Sequence, residues 1–314
     1  MKSFVYLFFA FVFFTFISCN NSNKTYTDTP TSGKTKICVD ETFKPIIENE
    51  INVFEGIYTQ ASVSAKYTNE VEAFNQFIKD SVNLIVATRP LKKEEKDYFE
   101  KIKIYPKEVK IAYDGLALII NRSNNDSLIT VNTVKDIISG KINNWKQINS
   151  KSKLGDIKVV FDNKSSSTVR YVFDSIVRGK QLSDHCSALK SNDEVIKFVE
   201  TSPNTIGIIG VSWICNSKDS TALSFYNKVK VMWVSKEKVA TIDNSYQPFQ
   251  AYIAKKLYPF SRNIYMISRD VHSGLSSGFM SFVASDRGQR IILKAGILPA
   301  TQPIRIVHVN DEEE

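Results

Sequence analysis

Val109-Lys110-Ile111-Ala112-Tyr113-Asp114-Gly115-Leu116-Ala117-Leu118-Ile119-Ile120-Asn121 is a long apolar run with Asp114-Gly115 near its middle. It reads as a strand that leaves one domain and enters another, bending at Asp114-Gly115. Toward the N-terminus, short apolar segments alternate with helical patterns. Lys36 to Val39 is a strand, and Ile47, Ile51, Phe54 and Tyr58 mark one face of a helix. Ser62 to Tyr67 is a second strand. Val71, Phe74, Phe77 and Ile78 mark a second helix, and Val82 to Ala87 a buried third strand. Strands alternating with crossover helices imply a mostly parallel, doubly wound sheet.

Beyond the run a second set of elements begins. Val134, Ile137 and Ile138 lie on a helix ended by Gly140, and Ile157 to Phe161 is a strand. Ser191-Asn192-Asp193-Glu194 is a capping box, and Thr205 to Val211 a glycine-punctuated strand. Between about Ser235 and Asn244 the composition turns polar, and the chain crosses back. A strand over Asn263 to Ile267 and a helix carrying Phe279, Phe282 and Val283 then complete the first unit. The expected fold is α/β, with two lobes built on two doubly wound sheets and joined by a two-crossing hinge. Residues 35–113 and 245–314 form lobe 1, and residues 114–244 form lobe 2. Two crossings suit a protein that closes on a ligand.

In the second lobe, Asp162-Asn163-Lys164-Ser165-Ser166-Ser167-Thr168-Val169-Arg170-Tyr171 brings a hydroxyl run directly before the helical apolar pattern Val169, Val172, Phe173, Ile176 and Val177. Such a turn gathers hydroxyls and free backbone N–H groups at a positive helix end, which suits a small oxyanion. A serine-rich helix start can equally be only a cap. Other polar groups fall at strand ends, where doubly wound sheets bind ligands. These are Asp40-Glu41-Thr42-Phe43 and Thr88-Arg89-Pro90. Arg89 and Arg170 also have plain ion-pair readings, and Asp114 could simply shape the bend.

The N-terminus bears on where the protein works. Lys2 followed by the apolar Phe4 to Ile17 is a secretory signal, too short for a comfortable membrane span. Phe16-Ile17-Ser18-Cys19 resembles a lipoprotein signal-peptidase site, so residues 1–18 are expected to be removed and Cys19 lipidated. Residues 19–34 are polar and read as a flexible tether. The chain is expected to be exported and held at a membrane on its periplasmic side.

The formal net charge of +8 suggests an anionic ligand or surface. The basic residues are scattered and no nucleic-acid motif appears, so nucleic acid is not expected. Cys186 and Cys215 could pair in an oxidising compartment, whereas Cys38 sits in an apolar strand. His185, His272 and His308 share no ligand spacing, so neither metal nor cofactor is expected. Asp311 to Glu314 reads as a solvated tail.

In this order the segments resemble the type 2 periplasmic binding proteins, and more narrowly the phosphate-binding component of bacterial phosphate ABC importers, in a Bacteroidota-like lipoprotein version. The resemblance runs from about Thr35 to Pro303. It is carried by Thr42-Phe43, Asp114-Gly115-Leu116-Ala117, Ile138 to Trp145, Ser166-Ser167-Thr168 and Ile206 to Gly210. Tyr258-Pro259-Phe260-Ser261-Arg262, Ser285 to Gln289 and Gly296-Ile297-Leu298-Pro299 complete it. The resemblance implies that Ser166, Ser167, Thr168, Thr42 and Phe43 hold phosphate. Two departures stand out. An arginine usual four residues before the family's serine is Asp162 here, and an aspartate usual after the third strand is replaced by Thr88-Arg89. The expectation is therefore an exchange of charge roles, with Arg89 as the cation and Asp162 or Asp114 as the proton acceptor. Thr88 and Arg170 complete the expected set.

The resemblance implies a monomeric, lipid-anchored solute-binding protein that captures inorganic phosphate between its lobes and hands it to an ABC permease without catalysis. Receptors for another tetrahedral oxyanion, or a phosphate sensor, are alternatives of the same class. An exported serine hydrolase or phosphatase is a different class, and the serine run has no nearby His or Lys placed as its base. A structural or adhesion lipoprotein would not need the polar strand ends.

Overall fold

The computed structural model describes residues 28–215 and 225–301. The leader 1–18, Cys19, His308 and the acidic end lie outside these residues. The chain runs β1 (Gly33–Asp40), α1 (Lys44–Ile57), β2 (Ala61–Thr68), α2 (Glu70–Ile78), β3 (Leu84–Ala87), α3 (Lys93–Lys101) and β4 (Lys107–Ile120). It continues through β5 (Leu128–Thr130), α4 (Val131–Ile138), β6 (Lys158–Phe161), α5 (Ser167–Tyr171), β7 (Cys186–Ala188), α6 (Asn192–Thr201) and β8 (Thr205–Gly210). After β9 (Lys230–Val231), β10 (Trp233–Ser235), β11 (Ser245–Tyr246) and α7 (Gln250–Ala254) come β12 (Ser261–Ser268), α8 (Leu275–Ala284), α9 (Asp286–Lys294) and β13 (Leu298–Pro299).

The two expected sheets meet at β4, and β11-β10-β5 form a separate 3-stranded sheet. A 10-stranded sheet runs in the order β2-β1-β3-β12-β4-β8-β6-β7, with β9 and β13 also on β4. Its two flanks are parallel, as crossover helices require, but the strands that change lobe are not. β12 lies antiparallel between β3 and β4, and β4 lies antiparallel to β8. The lobes meet within β4: Gly115 still pairs with Ser261 of β12, while Leu116 pairs with Gly210 of β8. Leu116 to Ile120 are all buried, which explains the unbroken apolar reading of that half.

Tyr246, Tyr252, Tyr258 and Phe260 pack with Trp145, Phe161 and Val172 of the second lobe. The first lobe centres on Phe54, whose ring meets Tyr58, Phe279 and Phe282 edge-on at 4.9, 5.3 and 5.3 Å. Ile37, Val160, Val195 and Ile209 share that cluster, so one apolar layer crosses the lobe boundary.

The end of the expected tether is anchored. Asp28 accepts from the Leu275 N–H at 2.8 Å and pairs with His272, while Pro30 lies directly on α8. A Cβ on Gly278 would stand 1.9 Å from the Pro30 carbonyl oxygen, so only glycine admits that crossing. Cys38, Cys186 and Cys215 are free thiols. Cys186 directs its sulfur at the Ile138 carbonyl and Cys215 packs beside Gly296, so the possible pairing is not formed. Among the described residues no helix is long and apolar enough to cross a membrane.

Candidate functional site

The strand ends singled out in the sequence converge where the lobes touch. At the end of β1 the Asp40 carboxylate accepts from the Thr42 N–H at 3.0 Å, capping the tight turn Glu41–Phe43. Its other oxygen accepts from the Ser167 N–H of the second lobe at 3.3 Å. At the end of β6, Asp162 accepts from the Ser166 hydroxyl at 2.6 Å. Its second oxygen takes weaker contacts from the Thr42 hydroxyl and the Asn192 amide, each at 3.4 Å. Ser166 also caps α5, its oxygen accepting from the Val169 N–H. Asp40 and Asp162 thus already hold several of the donors that the serine run presents.

The buried cation beside this turn is Arg262, the second residue of β12. Its register partner across the sheet is Asp114. Nε donates to Asp114 at 2.9 Å and Nη1 donates to the Ser167 hydroxyl at 3.0 Å, while the guanidinium lies 5.4 Å from the Phe43 ring centre. Arg262 therefore ties both crossing strands to the serine turn. Gly210, at the end of β8, makes this approach possible: a Cβ there would stand 2.5 Å from the Thr42 methyl. Arg262 Nη2 and the Thr168 hydroxyl are buried without a hydrogen-bond partner, and unmade donors of this kind are costly unless something arrives to accept them.

A second ion pair joins the lobes beside the first. Arg170 of α5 donates through Nε to Glu70 at 2.6 Å and through Nη2 to the Thr88 hydroxyl at 2.5 Å. Glu70 accepts in addition from the Thr88 N–H and hydroxyl, at 2.8 and 2.7 Å. Thr88 and Arg170 are thus engaged with each other and with Glu70, at the edge of the serine turn.

Arg89 is not at this junction. Its guanidinium forms a bidentate pair with Glu95 at 2.7 Å on both arms and lies 3.5 Å over the Phe74 ring. A partner six residues away and an aromatic face hold Arg89 inside lobe 1, and the guanidinium beside the serine turn is that of Arg262. Glu70 is a further junction residue that the sequence reading did not name, and Asp40 entered it only as part of the strand end Asp40-Glu41-Thr42-Phe43.

Burial dominates the electrostatics. Desolvation raises the Asp40 carboxyl to about 6, aided by Glu70 and Asp162 and opposed by Arg262. Glu41, which accepts from the Asn192 amide, is raised by burial to about 7. Burial also raises Asp114 and Asp162, against hydrogen bonds from Arg262 and Ser166 respectively. Glu70 behaves oppositely: burial works to raise it, but the Arg170 and Thr88 hydrogen bonds outweigh that and hold it below its usual value. Among the described residues no group of His, Cys, Asp and Glu could hold a metal ion.

The PBP superfamily domain model matches residues 24–287. The chain belongs to the PBP superfamily. Its curated relatives include the phosphate-binding protein PstS of Staphylococcus aureus, 25% identical over 277 residues, covering 87% of this chain and 80% of the relative. Among solved structures, a Clostridium perfringens substrate-binding protein assigned to phosphate ABC transport, with phosphate bound, superposes with a TM-score of 0.71 at 24% identity. That match covers 86% of this chain and 100% of the other. A Vibrio cholerae ABC-type phosphate transport receptor superposes with a TM-score of 0.63 at 20% identity, over 85% and 100% of the two chains.

Proposed function

We propose that this PBP-superfamily protein is an extracytoplasmic binding protein for inorganic phosphate, anchored by a lipid on Cys19, that delivers its ligand to an ABC permease. The observation that carries this reading is the pair of buried, unpartnered donors, Arg262 Nη2 and the Thr168 hydroxyl, beside the Ser166-Ser167-Thr168 turn. A tetrahedral oxyanion offers acceptors to both, and the guanidinium fork suits bidentate contact. Thr42 and Phe43 would close on it from lobe 1, with Thr88, Asp114 and Arg170 around it. PstS from Staphylococcus aureus supports phosphate as the ligand.

The serine hydroxyls support capture rather than hydrolysis. Ser166 donates to a carboxylate and Ser167 accepts from Arg262, so neither is set against an imidazole or amine base. Equilibrium dialysis with labelled phosphate tests the reading: saturation at one phosphate per chain, with no turnover of a phosphate ester, is expected. Ester turnover, or no retention of phosphate, would contradict it.

A prediction follows from the contact at Gly210. Gly210→Ala places a methyl 2.5 Å from the Thr42 Cγ2 and forces the Thr42 turn away from the second lobe. Overpacking of this kind costs about 1–3 kcal/mol. Phosphate affinity is expected to fall by tenfold or more while the protein stays folded, read by titration beside a thermal melt.

A further inference from the structure

Resting on the phosphate reading, we propose that the junction takes up protons together with its ligand: Asp40 and Asp162 meet phosphate as neutral carboxylic acids, and the seat favours the singly charged form. Four buried carboxylates surround the serine turn, namely Asp40, Glu70, Asp114 and Asp162. Arg170 is hydrogen-bonded to Glu70, and Arg262 to Asp114. Among the described residues Asp40 and Asp162 have no cation in hydrogen-bond contact; their partners are N–H and hydroxyl groups. A phosphate dianion placed beside the two of them would stand next to two further negative charges out of water, an arrangement that like-charge repulsion disfavours strongly.

Geometry adds a second reason. Asp40 occupies the Thr42 and Ser167 N–H groups, and Asp162 occupies the Ser166 and Thr42 hydroxyls. An oxyanion seated against the orphaned Thr168 hydroxyl and Arg262 Nη2 competes for those same donors. A charged carboxylate only accepts, so two of them set against an oxyanion leave acceptor facing acceptor. With one proton each, they become O–H donors to the phosphate oxygens and release their own donors to the ligand.

The groups facing Asp40 are Glu70 of α2, Arg262 of β12, Asp162 beyond β6 and Ser167 of α5. Those facing Asp162 are Asp40, Glu41, Ser166, Asn192, Thr42 and Arg262. Acids outnumber cations on every side of the pair, and burial already moves both carboxyls toward protonation. Each proton taken up on binding makes affinity rise by up to about tenfold per unit fall in pH.

Calorimetric titration of the protein with phosphate, between about pH 5 and 8.5 in two buffers of different ionisation heat, counts the protons taken up. Phosphate itself can account for at most about one, on passing from its doubly to its singly charged form. Uptake clearly above one near neutral pH is expected, with affinity falling steeply toward alkaline pH. Asp162→Asn keeps an acceptor for Ser166 and removes the charge. It is expected to lower uptake by about one proton and to tighten binding at pH 8 by about tenfold. Asp40→Asn should shift the same two readouts in the same sense, and the wild-type proton count stands by itself if a variant fails to fold. Uptake that never exceeds one proton, or Asp162→Asn with unchanged uptake, overturns this inference and leaves the phosphate reading intact. Absence of phosphate binding at every pH overturns both.

Discussion

Arg262→Ala is expected to abolish phosphate capture and to lower stability by about 3–5 kcal/mol, the usual cost of leaving a buried charge without its partner. Arg262 is 7% exposed and Asp114 is fully buried, so water cannot replace the lost guanidinium. The Ser167 hydroxyl loses its donor at the same time, and the ring of Phe43 its cation. Arg262→Lys keeps one charge but cannot serve Asp114, Ser167 and a ligand together, so it is expected to bind weakly and fold better than the alanine variant. Arg89→Ala is the informative contrast. Its pair with Glu95 lies within lobe 1, away from the junction, and phosphate affinity should stay within about twofold of wild type, with a stability cost of about 1 kcal/mol. Denaturant unfolding and phosphate titration of the three variants check this. Wild-type affinity in Arg262→Ala, or lost affinity in Arg89→Ala, would return the cation's role to Arg89.

The ligand-free protein is expected to lose stability steadily as pH rises from about 5 to 9, with Glu50 as the largest single cause. Glu50 lies on α1 at 0% exposure, and neither carboxylate oxygen has a hydrogen-bond partner. Burial raises its pKa from 4.5 to about 9. The folded state therefore keeps a proton that the unfolded chain releases above about 4.5. The stabilisation is full below that pH and is lost as pH climbs toward 9. Glu41, raised to about 7, and Asp40, raised to about 6, act in the same direction over narrower windows. Glu70, Glu95 and Asp28 are held low by their partners and act the other way, withdrawing stability as pH falls below their usual range. Maximum stability should therefore lie near pH 5. Glu50→Met, similar in volume and without a charge to bury, should melt higher than wild type at pH 8 and flatten the alkaline slope. A level wild-type profile over this range, or an unchanged slope in the variant, would contradict the assignment.

What the sequence made legible, and what it did not, divides by how local the cause is. The β4 run reads clearly because a strand buried on both faces carries its Ile and Leu without interruption. Ser166 reads as a cap because its partner, the Val169 N–H, is three residues away. Arg262 stood in a motif picked out for the resemblance, yet its role depends on antiparallel register with Asp114, which no local pattern encodes. Arg89 is the opposite case: a lone arginine at a strand end reads as free, whereas Glu95 of the next helix holds it.

Two apolar faces were misassigned for geometric reasons. Val71 is 55% exposed because α2 turns Glu70, Ala73, Phe74 and Phe77 inward instead. Phe173 is 41% exposed because α5 passes into a π-helical turn at Val172–Ile176, where a wider turn shifts the 3.6-residue pattern. The acids of the junction were hardest to see as a group. Asp40, Glu70 and Asp162 come from three separated segments and share a neighbourhood only once the sheet has ordered β1, β3, β12, β4, β8 and β6 side by side.

The central claim is that the junction of Ser166-Ser167-Thr168, Thr42 and Arg262 holds inorganic phosphate. Calorimetric titration of one preparation with phosphate and then sulfate, at about pH 6, tests it most directly. One phosphate per chain, bound at least tenfold more tightly than sulfate and lost in Arg262→Ala, is the predicted result. Sulfate bound as tightly as phosphate, or phosphate binding untouched by Arg262→Ala, would contradict it.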